Sequence, residues 1–442
     1  MAFLYNHCRY ITIVTMSATG SRLMVLAVRT AYGHAQPRHL LKNAPIIVIA
    51  HSRTYAMDQL STGARKVQVQ SSKTERSPPD LRLTHRNLSA MAASLKGQCR
   101  PLCRYDFLDL GEVEENTRKA QAARNIRRFI VEPALAQLVT DHLGGDLADG
   151  NAVIFEHNPG PGVLTRTLLN SGAQRVVALE SEKSFLPDLQ LEVVHCDFFK
   201  LDPLGQGPMR PPAMYSEKLF TDLGISEVPW MADVPVKVVG IFPQRNERSM
   251  LWKLVYALYQ RHSVFRYGRV ELIMFMSEKE YTKIVARPGN SKIYQALCVL
   301  WQMACDIELL HKEPWSSFVT SKSKVVPKSS LPNDNLCLVR MTPRRDLFDA
   351  HLSPANGSTL IMMVKQCMVK RKAPLVHQLN SWSPDSGYKI LQEMNLPADT
   401  VTGQVMADEY KKLFHLIEQS EEFRQSWLYE EVLENTEKCG YV

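Results

Sequence analysis

The sequence predicts an α/β protein: a parallel, Rossmann-like sheet with alternating helices, followed by a small helical C-terminal domain. Three observations carry this. Short apolar runs of strand length at 152–155, 175–179, 191–195 and 237–241 alternate with helix-period segments. A Gly160-Pro-Gly162 turn joins the first run to a helical pattern at 164–169. Beyond a last strand pattern at 336–341, segments 360–368, 375–379, 388–394 and 410–418 read as short helices. Strand–helix alternation in this order implies right-handed crossovers, with ligands bound outside the carboxyl ends of the strands.

The first hundred residues stand apart. Of the 442 residues 45% are hydrophobic and the formal charge is +8, enough apolar content for about two or three domains. Residues 1–100 hold fourteen Lys and Arg against Asp58, Glu75 and Asp80, a net of +11, so the remainder carries −3. No acid precedes Asp58. An acid-poor, Arg-rich leader reads as a mitochondrial transit segment with a basic linker; a disordered nucleic-acid-binding tail is the alternative. The expected organisation is leader 1–100, sheet domain 110–335 and helical domain 336–442. No apolar run approaches the roughly 18 residues of a bilayer span, which predicts no membrane association. Nine cysteines at irregular spacing suggest packing thiols and no metal site.

Within the sheet domain, Ala120, Ala123, Ile126, Phe129 and Ile130 recur at helical spacing, which predicts a helix from 112 to 130. A second helix follows Pro133 and closes at Gly144-Gly145. Six prolines in 201–235 predict an irregular insertion. Helices are expected at 248–261 and 293–304, a strand at 270–276, and a polar loop at 316–335.

The strand ends carry the chemistry. Glu156, Glu180, Asp197 and Pro243 all fall there, and Glu180 lies twenty residues after Gly160, the spacing at which an acid accepts from ribose hydroxyls. The turn lacks the third glycine of G-x-G-x-x-G, which weighs against a pyrophosphate. Acids on both sides of it suit a cationic, phosphate-free nucleoside, and S-adenosylmethionine is such a ligand. Glu180 would hold its ribose, Asp197 its adenine amine, and Glu156 its ammonium and sulfonium charges. A plainer alternative, in which Glu156 and Asp197 only cap loops, stays open.

The segment Phe155-Glu-His-Asn-Pro-Gly-Pro-Gly-Val-Leu-Thr165, with Val177-Ala-Leu-Glu180, Asp197 and Pro243, resembles the rRNA adenine dimethyltransferase family, and the likeness continues through Lys370-Arg371-Lys372-Ala-Pro-Leu375. It extends over about residues 110–430. The resemblance implies a class I S-adenosylmethionine-dependent methyltransferase fold, a cofactor site at Ile130, Glu156, Gly160, Gly162, Glu180 and Asp197, and two adjacent adenines of mitochondrial small-subunit rRNA as substrate. Stretches such as His195-Cys-Asp-Phe-Phe-Lys-Leu-Asp202 and Glu313-Pro-Trp-Ser-Ser-Phe318 resemble a mitochondrial branch of that family. For that branch the implied task is transcription initiation in the matrix nucleoid: promoter DNA melted with the mitochondrial RNA polymerase and the mitochondrial HMG-box transcription factor A.

One departure bears on activity. The family's catalytic Asn-Leu/Ile-Pro-Tyr/Phe is here Ile241-Phe242-Pro243-Gln244. Adenine N6 is a weak nucleophile that needs acceptors to orient it, and a flipped base gains about 1–3 kcal/mol from aromatic stacking. Ile241 offers no acceptor and Gln244 stacks poorly, so no intact catalytic motif remains and activity is expected to be weak or vestigial. Nucleic-acid contacts are expected from Lys365, Met368, Val369, Lys370, Arg371 and Lys372, and from Arg344 and Arg345 beside Arg340, with Arg127-Arg128 as a third cluster; these would hold phosphates if the fold brings them onto one side of the interdomain cleft, and a merely solvated helix face is the alternative.

Overall fold

The computed structural model describes residues 108–426, apart from 144–146, 148–149, 190–191, 204–208, 244, 322–334 and 425. The expected leader and Gln244 lie outside the described residues.

Helix α1 (Val113–Ala122) is followed by the two-residue strand β1 (Arg128–Phe129) and by α2 (Pro133–Leu143). Four strand–helix units come next: β2 (Val153–His157) with α3 (Val163–Asn170), β3 (Val176–Leu179) with the single turn α4 (Leu186–Leu189), β4 (Glu192–Val194) with α5 (Ser216–Asp222), and β5 (Val236–Ile241) with α6 (Glu247–Tyr259). The chain continues with β6 (Glu271–Ser277), α7 (Glu278–Ile284), α8 (Ala296–Ala304), β7 (Cys305–Pro314), β8 (Val319–Thr320), which pairs with β1 in a separate two-stranded sheet, and β9 (Asn335–Pro343). Helices α9 (Gly357–Val369), α10 (Leu375–Trp382), α11 (Gly387–Met394), α12 (Ala407–Gln419) and the short α13 (Glu421–Arg424) complete the described chain.

The main sheet has seven strands in the order β4-β3-β2-β5-β6-β9-β7. Strands β4 to β6 run parallel, and β9 is antiparallel to both β6 and β7. The order turns back between β2 and β5, so the crevice at their carboxyl ends is the topological switch point where such sheets bind ligands.

Alternation along the strands divides the core in two. Ile154, Val176, Val239, Ile273 and Phe275 face α2 and α3, while Phe155, Val177, Val238, Met274 and Met276 face α6 and α8. The C-terminal helices belong to the second layer: Leu360, Leu379, Leu391 and Leu413 share one continuous cluster with Leu251, Val255 and Trp301. The boundary expected at 336 therefore falls inside the sheet, where β9 fills the place between β6 and β7.

Three local departures have physical causes. The helix expected over 112–130 stops at Ala122, because the next amides leave the helical ladder for tertiary partners: Arg124 N–H donates to Glu182 (2.8 Å) and Arg127 N–H to the Ser321 hydroxyl (3.3 Å). Phe129 thereby becomes strand, paired with Val319. Strand β7 carries no continuous apolar run because it is the sheet edge, where Asp306, Glu308 and Lys312 stay in solvent and deter edge pairing. Helix α5 lies inside the Pro-rich insertion, and Ser216 N–H donates to Asp202 at 2.9 Å as that helix begins.

Candidate functional site

The carboxyl ends of β2, β3 and β4 bring the three acids to one crevice. Glu156 sits in β2 beside Ala178 of β3, and Glu180 follows β3 directly. Asp197 caps the 3-10 turn Phe198–Lys200, accepting from Phe199 N–H at 3.1 Å, with Lys200 Nζ 3.4 Å away. Between β2 and α3 the chain turns through Gly160 (φ +62°) and Gly162 (φ +80°), the left-handed region that suits glycine. A Cβ on Gly162 would come within 2.7 Å of Leu189, so space as well as backbone conformation requires glycine there.

Burial sets the state of the two residues at the end of β2. It pushes the Glu156 carboxyl up to about 7, and Glu156 Oε2 is buried with no hydrogen-bond partner among the described residues. Beside it, burial lowers the His157 imidazole to about 4. His157 Nε2 lies 2.9 Å from Asn158 Nδ2, and the ring packs edge-on against Phe199 at 4.9 Å. A buried carboxyl with an unmet oxygen suits a cationic ligand, whose charge would ionise it.

Glu180 is differently placed. Its side chain is 0% exposed, and Arg127 grips both oxygens, Nη1 to Oε1 at 2.8 Å and Nη2 to Oε2 at 3.1 Å. Gly160 N–H donates to Oε2 (3.0 Å) and Glu182 N–H to Oε1 (2.6 Å). The Arg127 guanidinium lies over the rings of Phe129 (4.6 Å to the centroid) and Phe185 (5.1 Å), contacts that hold its flat face. A Cβ on Gly160 would collide with the Phe129 ring. Asp197 caps the turn after β4, as the plainer alternative has it, while Glu156, with its unmet oxygen, fits the expected cofactor. In the arrangement described Glu180 does not, because the oxygens a ribose needs are given to Arg127. The expectation that Arg127 joins a phosphate-binding cluster is corrected on the same ground.

At the acceptor position, Ile241 ends β5 and packs on the cluster formed by Ile154, Val239 and Phe275. Phe242 is buried, its ring 5.2 Å from Phe199 and its N–H bonded to the Phe275 carbonyl at 2.9 Å, so it is not free to stack on a base. Ile130 is buried against α2 and α3.

The structure separates the expected nucleic-acid residues. Helix α9 runs antiparallel to α6: Gly357 abuts the Tyr259 carbonyl, and Lys365 reaches Tyr256 Oη (3.2 Å) further along. Its C-terminal end therefore lies toward the carboxyl end of β5. There Val369, 71% exposed, with Lys370, Arg371, Lys372, Ala373 and Ser291, lines a groove of about 430 Å³. Lys370, Arg371 and Lys372 have no ion pair among the described residues. Met368 is corrected: it is buried, and the Tyr410 hydroxyl donates to its sulfur at 3.5 Å. Arg344 and Arg345 lie at the other end of the sheet, beside the start of β6, because β9 runs antiparallel to it. They are also committed, Arg344 to Asp306 (3.0 Å) and Asp408 (3.3 Å), Arg345 to Asp233 (2.6 Å). Arg340 pairs with Glu308 at 3.0 Å. The three basic clusters do not share one side of a cleft.

The family model described as ribosomal RNA adenine dimethylase matches residues 126–419, spanning sheet and C-terminal helices alike. The chain belongs to the ribosomal RNA adenine dimethylase family. It is 42% identical over 335 residues to the human dimethyladenosine transferase 2, mitochondrial, covering 72% of this chain and 84% of that protein. Its identity to the mouse protein of the same name is 46% over 301 residues, 64% of this chain and 76% of the relative. A solved dimethyladenosine transferase of Plasmodium falciparum aligns at TM-score 0.41 and 13% identity, over 64% of this chain and 94% of its own. As a member of this family the chain has the class I methyltransferase fold, whose cofactor is S-adenosylmethionine, and the relatives' names support a mitochondrial location. Among the described residues no helix is long and apolar enough to cross a membrane. Sequence reasoning named Glu156, Glu180 and Asp197 but neither Glu182, which takes the Arg124 amide, nor Arg127, which holds Glu180. The signal was the basic pair Arg127-Arg128 directly before Phe129.

Proposed function

We propose that this protein is a mitochondrial transcription initiation factor on a dimethyltransferase scaffold. It assists the mitochondrial RNA polymerase in melting promoter DNA, alongside the mitochondrial HMG-box transcription factor A in the matrix nucleoid, and retains at most weak methyl transfer. The observation that carries the loss of catalysis is Ile241: an aliphatic side chain ends β5 and packs, half-buried, against the core where the motif calls for an amide acceptor. With no oxygen there, adenine N6 is left unoriented, and each lost contact of about 2–3 kcal/mol removes one to two powers of ten in rate. Lys370, Arg371 and Lys372, exposed or half-exposed and paired with no acid among the described residues, supply a local phosphate-binding edge on a body whose net charge is slightly negative.

A second reading has support of its own. Glu156 and Asp197 are retained at the strand ends, as an active enzyme dimethylating two adjacent adenines of mitochondrial small-subunit rRNA requires. One experiment separates the two. The protein is assayed for promoter-dependent transcription with purified polymerase and factor A, and for methyl transfer to an rRNA hairpin. Transcription stimulated without methylation is the expected result; methylation at the rate of a family member with an intact motif would overturn the proposal.

A further inference from the structure

Arg127 does for Glu180 what a bound ribose would do. Two donors from one planar group meet both carboxylate oxygens, and the group lies over Phe129 and Phe185. With the Gly160 and Glu182 amides, the carboxylate accepts four hydrogen bonds from within the chain, about its full capacity. Nothing remains for a diol. The pair is also dry, with Glu180 0% and Arg127 10% exposed at the side chain, so a ligand that displaces Arg127 must either bring equivalent donors or let the strap carry Arg127 into water.

The strap that presents Arg127 is built to be fixed at both sides of it. Arg124 N–H is held by Glu182 at 2.8 Å, and the Ser321 hydroxyl donates to the Asn125 carbonyl at 2.7 Å. Beyond Arg127, β1 pairs with β8 through Arg128 and Phe129. Glu182 belongs to the loop after β3 that also carries Glu180, so strap and crevice share their anchors. The strap pairs with β8 in a separate two-stranded sheet and makes no ladder with the seven-stranded one.

We infer that Arg127 is an internal latch: it occupies the ribose end of the adenosyl crevice, and the segment from Arg124 to Phe129 must move before a nucleoside can engage Glu180. The crevice therefore alternates between a self-filled state and an open one, and only the open one binds ligand. Apparent affinity is reduced by the open fraction, so with about 1–10% open, removal of the latch tightens binding by about ten- to a hundredfold.

The test is calorimetric titration of S-adenosylhomocysteine into the full chain, its Arg127→Ala variant and its Arg127→Met variant, which keeps a long apolar side chain over Phe129 and Phe185. Cooperative melting of each variant checks that it folds. Binding at least about tenfold tighter in either folded variant is expected. Equal or weaker binding in the variants than in the wild type overturns the latch, since Arg127 would then be neutral or part of the binding surface. No heat in any of the three proteins overturns the latch and the cofactor assignment together, and so is distinguishable from equal binding. A second measurement needs no variant: hydrogen exchange at the Arg124 and Arg127 amides must accelerate when the ligand binds the wild type, and binding with unchanged protection there overturns the proposal.

Discussion

Glu156 and His157 are neighbours on β2 whose buried states depend on pH in opposite senses. The Glu156 carboxyl rises from its ordinary 4.5 to about 7, so its contribution to stability is fully present below 4.5 and is lost as pH rises through 7. The His157 imidazole falls from 6.5 to about 4, so its contribution is fully present above 6.5 and is lost as pH falls through 4. Each pH unit between folded and unfolded values is worth about 1.4 kcal/mol, which gives each residue a span of about 3 kcal/mol. Between pH 4.5 and 6.5 the two slopes oppose and nearly cancel. Glu156→Gln removes one of them. Relative to the wild type, this variant should lose about 3 kcal/mol on acidification from pH 6.5 to 4.5, while His157→Gln should gain a similar amount. Urea unfolding at a series of pH values measures both, and reading each variant as a difference from the wild type cancels every other titrating group. A Glu156→Gln curve that runs parallel to the wild type over this window would refute the reasoning, because it would mean that Glu156 is ionised in the folded protein.

Other consequences are open to direct measurement. Replacing Lys370, Arg371 and Lys372 together by Ala should lower the slope of log affinity against log salt for single-stranded DNA by about 2, at about 0.7 per phosphate contact, with the melting temperature unchanged; Arg344→Ala should leave that slope alone, because Arg344 is engaged by Asp306 and Asp408. Met368→Ala should act as a core deletion, costing about 2–5 kcal/mol in chemical denaturation without altering the salt slope. Ile241→Asn restores an acceptor and, combined with Arg127→Ala, should raise methyl transfer to an rRNA hairpin by about ten- to a hundredfold; no gain in a cooperatively folded double variant would show that more than the acceptor is missing. Gly162→Ala should destabilise by about 1–3 kcal/mol, since it forces a side chain to φ +80° and within 2.7 Å of Leu189, and a melting temperature equal to the wild type would contradict that geometry.

The sequence by itself determined the parallel sheet and its acids. Runs such as 152–155 and 238–241 are apolar on both faces because helices cover both, so they announce buried parallel strands, and the Gly160 turn fixes where the first helix begins. The acids Glu156, Glu180 and Asp197 follow from position alone, since whatever closes a parallel strand stands at the ligand end. Tertiary structure decided what those groups touch. Arg127 is 53 residues from Glu180 along the chain, and no periodicity records that the strap folds back over β3. Strand β7 was hidden because an edge strand with one side in water keeps charges where a buried one would show apolar residues. The antiparallel course of β9 sent Arg344 and Arg345 to the end of the sheet away from the crevice, although in sequence they look like the cluster at 370–372. Helical spacing placed Phe129 and Ile130 on a helix for a similar reason: local pattern gives the helix its amphipathic face, but Glu182 and Ser321, distant in sequence, offered the amides at 124 and 127 better partners. Contacts between residues far apart in the chain leave no mark on local spacing, and in this protein they set both the state of the cofactor crevice and the place of its basic groove.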